Sequence, residues 1–284
     1  MTGLWNNVDC KLSTRLRKGV NQMHVVARHH HIERALQSEA AVSTLELARA
    51  LRVSQETIRR DLIHLEDKGR LRRVYGGAVM LHRQQSSEPP FTERARINTE
   101  AKRVIGNVAA RIAAESKTIF IDVGTTAQAA ARSLAPFFTG TIVSHSLLVA
   151  LEISSNSQAD LILAPGRLRR GEWSLSGTAT HNFIQTMHFD LALLSCGGVD
   201  GVAGATDFDF DDAEIKRTVA QQSTEAFILA DSSKHGVVGS HSIGDWFDIN
   251  GIITDRDPPH GLLARVKAAG GSIRLPPKRR DDET

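Results

Sequence analysis

Six short apolar segments alternate with loops and helical segments across the rear two-thirds of this 284-residue chain. Such segments suit strands that are buried on both faces, and these occur where helices cover a parallel sheet on each side. We therefore predict an α/β domain with a mainly parallel sheet over residues 98–284. The six predicted strands are residues 118–123, 140–143, 160–163, 190–195, 226–230 and 251–254.

Residues 23–80 have a different pattern, with three helical segments followed by a short hairpin. Ser43 and Ser54 are the predicted N-caps of the second and third helices, and only Arg52 and Val53 separate these helices. Two short helices and a longer one, with a tight turn before the last, are typical of a helix-turn-helix. The predicted inward-facing residues of the three helices are Ile32, Ala35 and Leu36; Leu45, Ala48 and Leu51; and Ile58, Leu62 and Leu65.

In a helix-turn-helix, the start of the last helix enters the DNA major groove. Arg and Gln side chains can read guanine and adenine edges there, and Thr offers a hydroxyl and a methyl group. Arginines in the hairpin that follows suit a wing that contacts phosphates. The predicted DNA-binding residues are Ser54, Gln55, Glu56, Thr57, Arg59, Arg60, Arg72, Arg73 and Tyr75. Periodicity alone fits equally well a three-helix interaction bundle with solvated arginines.

The charge distribution agrees with a nucleic-acid partner for the front of the chain. Residues 1–80 carry 14 Lys and Arg against 8 Asp and Glu, whereas residues 81–284 carry 21 against 24. A basic front on a slightly acidic body favours DNA binding by the front. Two further segments complete the organisation: residues 1–22 are predicted to be an N-terminal extension, and residues 81–97 an extended linker with Pro89-Pro90.

Polar residues recur where the predicted strands end. Gly124-Thr125-Thr126 joins the first strand to a helix, and this arrangement of glycine, hydroxyls and free helix N–H groups suits a phosphate or carboxylate. Simple helix capping is the alternative reading of this tripeptide. Because parallel strands place their carboxyl ends at one edge, the other loops are expected to converge there. These loops are residues 144–146, 165–167, 197–200 and 231–234.

The acidic run at residues 207–212 does not fit a calcium loop, because Asp212 and Thr218 stand where an EF-hand requires Gly and Glu. We interpret it as a solvated loop. With two distant cysteines and no Cys/His set of zinc spacing beside His29-His30-His31, we predict neither a metal nor a cofactor. The absence of a long apolar segment and of a secretory signal predicts a cytoplasmic protein with no membrane partner.

The segment Ser54-x-x-Thr57-Ile58-Arg59-Arg60-Asp61-Leu62, with Tyr75-Gly76-Gly77-Ala78 after it, resembles the helix-turn-helix of the DeoR family of transcriptional regulators. The rear domain resembles the sensor domain of that family, a fold related to ribose-5-phosphate isomerase. The resemblance implies a repressor that binds double-stranded operator DNA and is released by a phosphorylated sugar or polyol. Phe208-Asp209-Phe210 and residues 120–126 resemble the glycerol-3-phosphate repressor branch. Helix-turn-helix proteins bind paired half-sites, so a homodimer or homotetramer is expected.

The resemblance also implies an effector site. Its residues are Asp122, Gly124, Thr125, Thr126, Ser144, His145, Gly166, Gly198, Asp200, Glu214, Lys216, Asp231 and Lys234. The two Thr would donate hydrogen bonds to the phosphate, and Lys216 or Lys234 would balance its charge. The acidic groups would accept hydrogen bonds from the sugar hydroxyls. His145 replaces the family's usual Asn and would either alter ligand choice, add pH sensitivity or only hydrogen-bond a loop. The alternative function is a sugar-phosphate isomerase with an accessory DNA-binding domain; the fused helix-turn-helix favours the regulator, so no enzyme activity is expected.

Overall fold

The computed structural model describes residues 24–38, 41–68, 70–80, 83–84, 88–156 and 158–277. The chain divides into two compact units, Met1–Leu81 and His82–Thr284. The predicted N-terminal extension, residues 1–22, lies outside the described residues. No helix in the described ranges is long and apolar enough to cross a membrane.

The first unit is a three-helix domain with a small antiparallel sheet. Ser43 caps the second helix by accepting a hydrogen bond from the Leu45 N–H at 3.2 Å, and Ser54 caps the third by accepting from the Thr57 N–H at 3.1 Å. Arg52, between them, has the left-handed φ of 52° that the tight turn requires. The elements are α1 (Val25–Ser38), β1 (Ala41–Ser43), α2 (Thr44–Leu51), α3 (Gln55–Asp67), β2 (Leu71–Val74) and β3 (Gly77–Met80), and the sheet order is β1-β3-β2.

One residue of the predicted inward face of α2 is wrong, while Ala48 and Leu51 are buried as predicted. Leu45 of α2 is exposed, whereas Leu47, Ala48 and Leu51 are buried. Leu47 lies four residues before Leu51, and Leu45 lies three residues before Ala48. Both spacings are typical of one face of a helix, so the α2 sequence permits either leucine to face inward. The other helices pack as predicted, and the core of this unit includes Ile32, Leu36, Ile58, Leu62 and Leu65.

The second unit contains a seven-stranded parallel sheet between two layers of helices. Its helices are α4 (Phe91–Arg94), α5 (Thr99–Ala113), α6 (Thr125–Leu134), α7 (Leu147–Asn156), α8 (Thr178–Gln185), α9 (Phe210–Gln221) and α10 (His260–Ala268), with a 3₁₀ turn at Ser232–Lys234. Its strands are β4 (Arg83–Gln84), β5 (Thr118–Ile121), β6 (Thr141–Ser144), β7 (Asp160–Leu163), β8 (Arg167–Arg169), β9 (Ser174–Ser176), β10 (Phe189–Ser195), β11 (Gly198–Asp200), β12 (Gly204–Asp207), β13 (Ser223–Leu229), β14 (Val237–Val238), β15 (His241–Gly244), β16 (Gly251–Ile253) and β17 (Ser272–Arg274).

The sheet order is β17-β16-β13-β10-β5-β6-β7, and every neighbouring pair is parallel. All six predicted strands are present in it, and none of their ends differs from the prediction by more than three residues. The fold class is therefore confirmed: a winged helix-turn-helix followed by a parallel α/β domain. The short pairs β8-β9 and β4-β14 and the antiparallel sheet β11-β12-β15 are further elements.

Alternate residues of the central strands face the two helical layers. Ile119 and Ile121 of β5 belong to one apolar cluster, whereas Phe120 between them belongs to the other. Leu191 and Leu193 of β10 join the first cluster in the same way. Burial on both faces explains why these strands are apolar at nearly every position.

The prediction of an extended linker over residues 81–97 requires correction. Residues 91–94 form α4, and Phe91 is 9% exposed. The ammonium group of Lys102 donates to the carbonyl groups of Arg94 and Ile97. An apolar anchor and a buried cation thus give the second half of this segment a fixed conformation.

Candidate functional sites

The start of α3 presents polar side chains to solvent. Ser54, Gln55, Glu56, Arg59 and Arg60 are exposed, and Thr57 is half-buried. Glu56 lies 3.7 Å from Arg59 and 3.6 Å from Arg60, but exposed ion pairs of this kind are worth only about 0.2–1 kcal/mol. Both arginines therefore remain able to exchange Glu56 for a DNA base or phosphate.

The opposite side of α3 is fixed by an ion pair that the sequence analysis did not identify as functional. Asp61 is 5% exposed and accepts hydrogen bonds from Arg28 of α1 at 2.5 and 2.9 Å. His29 lies 3.1 Å from the same carboxylate. This buried pair ties α3 to α1, and its loss would leave a buried charge without a partner. The sequence signal for this ion pair was Asp61 itself, an acidic residue next to the inward-facing Leu62.

The wing is the hairpin of β2 and β3. Gly76 has a φ of 84°, and a Cβ on Gly77 would lie 1.9 Å from the carbonyl oxygen of Val42 on β1. These contacts explain the two consecutive glycines, because one makes the turn and the other admits β1. Tyr75 at the tip is fully exposed.

The two wing arginines differ in their surroundings. Arg73 is tied to α3, since its Nε donates to Glu66 at 2.5 Å and its backbone N–H donates to the same carboxylate at 2.8 Å. The backbone hydrogen bond from Arg73 is the main reason that the pKa of Glu66 is lowered. Arg72 is exposed. Of the pair, Arg72 is thus the better placed to contact a phosphate.

The second unit contains a cavity of about 180 Å³ at the carboxyl edge of the parallel sheet. Six predicted effector residues line it: Gly124, Thr125, Thr126, Lys216, Asp231 and Lys234. Further lining residues that the sequence analysis did not select include Glu88, Arg94, Asn98, Lys102, Ser195, Asp207 and Asp212.

The N-terminus of α6 forms one wall of the cavity. Its cap residue, Gly124, has a φ of 109° and no side chain that could occupy the first-turn N–H groups. Thr125 and Thr126 add their hydroxyls to this turn. No side chain at Gly124 caps this helix, which argues against helix capping as the role of the tripeptide. The unoccupied N–H groups of the turn suit an anion instead.

Asp122 follows β5 directly, two residues before Gly124, and is fully buried. One carboxylate oxygen accepts hydrogen bonds from the backbone N–H and hydroxyl of Ser195 at 2.9 and 2.8 Å. The other lies 2.8 Å from Nε2 of His145. Lys216 Nζ lies 3.4 Å from Asp122 and 2.9 Å from Asp207.

This cluster fixes its own charges. Burial alone would raise the pKa of Asp122, but the charge of Lys216 and the hydrogen bonds from His145 and Ser195 hold it well below its ordinary value. Burial would likewise lower the pKa of Lys216, but Asp122, Asp207 and Asp212 raise it well above its ordinary value. Asp122 and Lys216 are thus both charged at neutral pH.

His145 and Ser144 lie under the cavity rather than in its lining. Nδ1 of His145 lies 3.0 Å from the carbonyl oxygen of Leu175, and Nε2 faces Asp122. The His145 ring thus lies between two hydrogen-bond acceptors, the Asp122 carboxylate and the Leu175 carbonyl oxygen. The Ser144 hydroxyl accepts from the backbone N–H of Ser146 at 3.0 Å. These contacts favour the reading in which His145 orders a loop and orients Asp122.

Asp212 corrects the interpretation of residues 207–212 as a solvated loop. Asp207 ends β12, Asp212 lies in the first turn of α9, and both are less than 7% exposed. Arg169 Nη2 donates to Asp212 Oδ2 at 2.7 Å, and Asp212 Oδ1 has no hydrogen-bond partner among the described residues. Burial raises the pKa of Asp212 against the effects of Lys216 and Arg169. The sequence did contain a signal for this contact, because Asp212 lies four residues before Lys216 and the two therefore share one face of a helix.

Besides Asp122, Ser144 and His145, four further predicted effector residues lie outside the cavity lining. Two are glycines in close backbone contacts: a Cβ on Gly166 would lie 2.2 Å from the Thr180 hydroxyl, and one on Gly198 would lie 2.2 Å from the Val237 carbonyl oxygen. Asp200 accepts from the backbone N–H groups of a turn at 2.8 and 3.0 Å. Glu214 pairs with Arg217 on the outer side of α9.

Comparison with known proteins agrees with both units. Residues 28–84 match the DeoR-like helix-turn-helix domain, and residues 97–256 match the DeoR C terminal sensor domain. The HTH-type transcriptional regulator GolR of Listeria innocua is 32% identical, over 87% of this chain and 97% of that protein. The glycerol-3-phosphate regulon repressor of Escherichia coli is 31% identical, over 85% of this chain and 95% of that protein.

Among solved structures, ribose 5 phosphate isomerase A from Neisseria gonorrhoeae is similar at 16% identity and a TM-score of 0.35, covering 49% of this chain and 53% of that one. A likeness of this size has no bearing on activity.

The fold and the two sites define a transcriptional regulator with a DNA-binding unit and a sensor unit. The chain belongs to the DeoR family. Its relatives are named as regulators and repressors, so the isomerase alternative is not favoured and the protein is not assigned as an enzyme.

Proposed function

We propose that this repressor binds a phosphorylated sugar or polyol in the cavity of the sensor unit, and that binding weakens its hold on operator DNA. The observation that carries the proposal is that the uncapped N-terminus of α6 and several cationic side chains line the same cavity. The N-terminus of α6 offers N–H groups and two hydroxyls, and Arg94, Lys102 and Lys234 line the same space. Such a site suits phosphate.

The acidic residues of the cavity support a polyhydroxylated ligand. Asp207, Asp212 and Asp231 also line it, and each can accept a hydrogen bond from a ligand hydroxyl. The free oxygen of Asp212 is a further reason to expect a hydroxyl donor, because a buried acceptor without a partner is costly. The relatives that are named for the glycerol-3-phosphate regulon make glycerol 3-phosphate the first compound to test.

Operator binding is assigned to α3 and the wing, with Gln55, Arg59, Arg60 and Arg72 as the principal contacts. We propose a homodimer or homotetramer, because paired half-sites require paired recognition helices.

The test is a thermal-shift assay of the full chain with phosphorylated sugars and polyols, including glycerol 3-phosphate. Unphosphorylated counterparts serve as controls. A compound at about 100 times its Kd adds about 2.7 kcal/mol of stability. We expect stabilisation by a phosphorylated compound and none by its unphosphorylated partner. Stabilisation by none of the panel would refute the cavity as a phosphate-ligand site.

A further inference from the structure

One wall of the cavity is formed by the segment of residues 88–98, which lies between β4 and α5. It supplies Glu88, Pro89, Arg94, Ile97 and Asn98 to the lining. Two of its side chains bind the 3₁₀ turn and its cap: Glu88 binds Lys234 of the turn, and the Asn98 amide donates to the cap residue Asp231 at 3.0 Å. The segment is therefore held to the cavity by polar contacts.

Glu88 places a carboxylate between two of the cavity's cations. Its Oε1 accepts from Lys234 Nζ at 2.6 Å, and its Oε2 lies 3.3 Å from Arg94 Nη1. The side chains of Glu88, Arg94 and Lys234 are only 21%, 12% and 22% exposed. Partial burial weakens solvent screening, so these pairs are stronger than pairs on an open surface.

The cavity's other two lysines are already occupied by groups that form the framework of the unit. Lys216 lies between Asp122 and Asp207 and is 1% exposed. Lys102 donates to the carbonyl groups of Arg94 and Ile97, and burial lowers its pKa. A ligand anion would have to break apart this framework to use either. Arg94 and Lys234 share Glu88 as a partner, so displacing its carboxylate frees a position next to both cations. Arg94 also donates to Glu172 and to the Pro89 carbonyl oxygen, and these contacts would keep its guanidinium in place.

We propose that Glu88 is a built-in competitor of the effector: its carboxylate occupies the subsite, between Arg94 and Lys234, that the effector's phosphate takes. This inference rests on the proposed function. A phosphate monoester carries about 1.5 to 2 negative charges and three strong acceptor oxygens, so it outcompetes a single carboxylate for two cations. The ligand chemistry of the subsite is thus a phosphate monoester or free phosphate.

Displacement of Glu88 has a consequence for the segment that carries it. Glu88 follows β4, and the chain before β4 leads back to the wing of the DNA-binding unit. Without its link to Lys234, the start of segment 88–98 loses a main anchor. Effector binding would then loosen the start of segment 88–98, the part of the sensor unit that comes soon after β4 in the chain.

The test uses inorganic phosphate as the probe and isothermal titration calorimetry on the full-length protein, its E88Q variant and the control E93Q. Glu93 is exposed on α4, so E93Q makes the same change of net charge outside the cavity lining. If Glu88 occupies the subsite in about nine molecules of ten, its removal tightens the apparent Kd about tenfold. We expect that gain in E88Q and an unchanged Kd in E93Q.

A second readout tests displacement itself. Hydrogen exchange of residues 88–98 in the wild type should rise on addition of phosphate, whereas simple burial by a ligand would lower it. Equal phosphate affinity in wild type and E88Q, or slower exchange with phosphate, overturns the competitor role and leaves the proposed function standing. If phosphate binds neither protein while a phosphorylated compound stabilises both, the subsite assignment also fails. If no phosphorylated compound binds at all, the proposed function fails with it.

Discussion

Single buried charges determine much of the geometry at both sites. Asp61 holds the recognition helix through Arg28, and Asp122, which precedes α6 in the chain, is bound by Ser195 and Lys216. Neither carboxylate lies where it would contact DNA or a ligand in the cavity directly. Each is fully or almost fully buried with its cation, so removing one partner leaves a charge that water cannot reach.

Replacement of Lys216 by Met tests this account of the cavity. K216M leaves Asp122 and Asp207 without their buried cation, and we expect a loss of about 3–5 kcal/mol in the free energy of unfolding at pH 7. Urea denaturation followed by tryptophan fluorescence, to which the buried Trp246 of this unit contributes, measures the loss. Lys267, which is exposed on α10, provides the control variant K267M.

The deficit of K216M should shrink as the pH falls. The pKa of Asp122 in the folded wild type lies below its ordinary value, so its ionised form contributes stability above about pH 4 that is lost at lower pH. Without Lys216 the pKa of Asp122 rises, and protonation then relieves the unpaired charge. A deficit that is constant from pH 7 to pH 4 would contradict the charge-based explanation.

Among the elements, the wing contains two adjacent arginines with different surroundings. Arg73 is adjacent to Arg72 in β2, yet it is bound to Glu66 of α3 through both backbone and side chain. Arg73 therefore attaches the wing to the recognition helix, and Arg72 is the wing arginine that we propose contacts DNA.

This division predicts different salt dependences for two substitutions. Each phosphate contact contributes about 0.9 to the slope of log K against log salt concentration for duplex DNA. R72A should lower the slope by about that amount, and R73A by clearly less. Fluorescence anisotropy with a non-specific duplex measures both, with K267A as a control outside the DNA-binding unit. Equal decreases for R72A and R73A would contradict the assignment.

The elements also show what the sequence could and could not predict. The central strands of the parallel sheet were predictable because burial on both faces makes them continuously apolar. In α2 the inward face was not, because Leu45 and Leu47 are equally apolar and only packing against α3 and the sheet selects Leu47. The acidic run was misread because a sequence does not show that Lys216 and Arg169 meet Asp207 and Asp212.

The site was partly predictable for similar reasons. Gly124, Thr125 and Thr126 follow a strand directly, and the sheet topology brings them to the cavity. Arg94 and Glu88 come from a segment with linker-like composition, and nothing local indicates that it folds over the same edge. Gly166 and Gly198 resemble ligand-loop glycines in sequence, but tight backbone contacts account for them.

At the scale of the whole molecule, a basic DNA-binding unit is joined to a slightly acidic sensor unit by the chain around β4. Regulation requires that the ligand bind the two functional states with different affinity, and a coupling free energy of about 1–3 kcal/mol corresponds to a change in affinity of about 5–150-fold. By linkage, operator DNA must weaken effector binding by the same factor.

The most direct test of the central claim is the affinity of the full-length protein for a duplex that it selects from a random pool, measured with and without the stabilising phosphorylated compound. The claim predicts that the compound weakens DNA binding at least about fivefold, and that its unphosphorylated counterpart has no effect. Unchanged DNA affinity under saturation by a compound that binds the cavity would contradict the claim that this cavity controls the repressor.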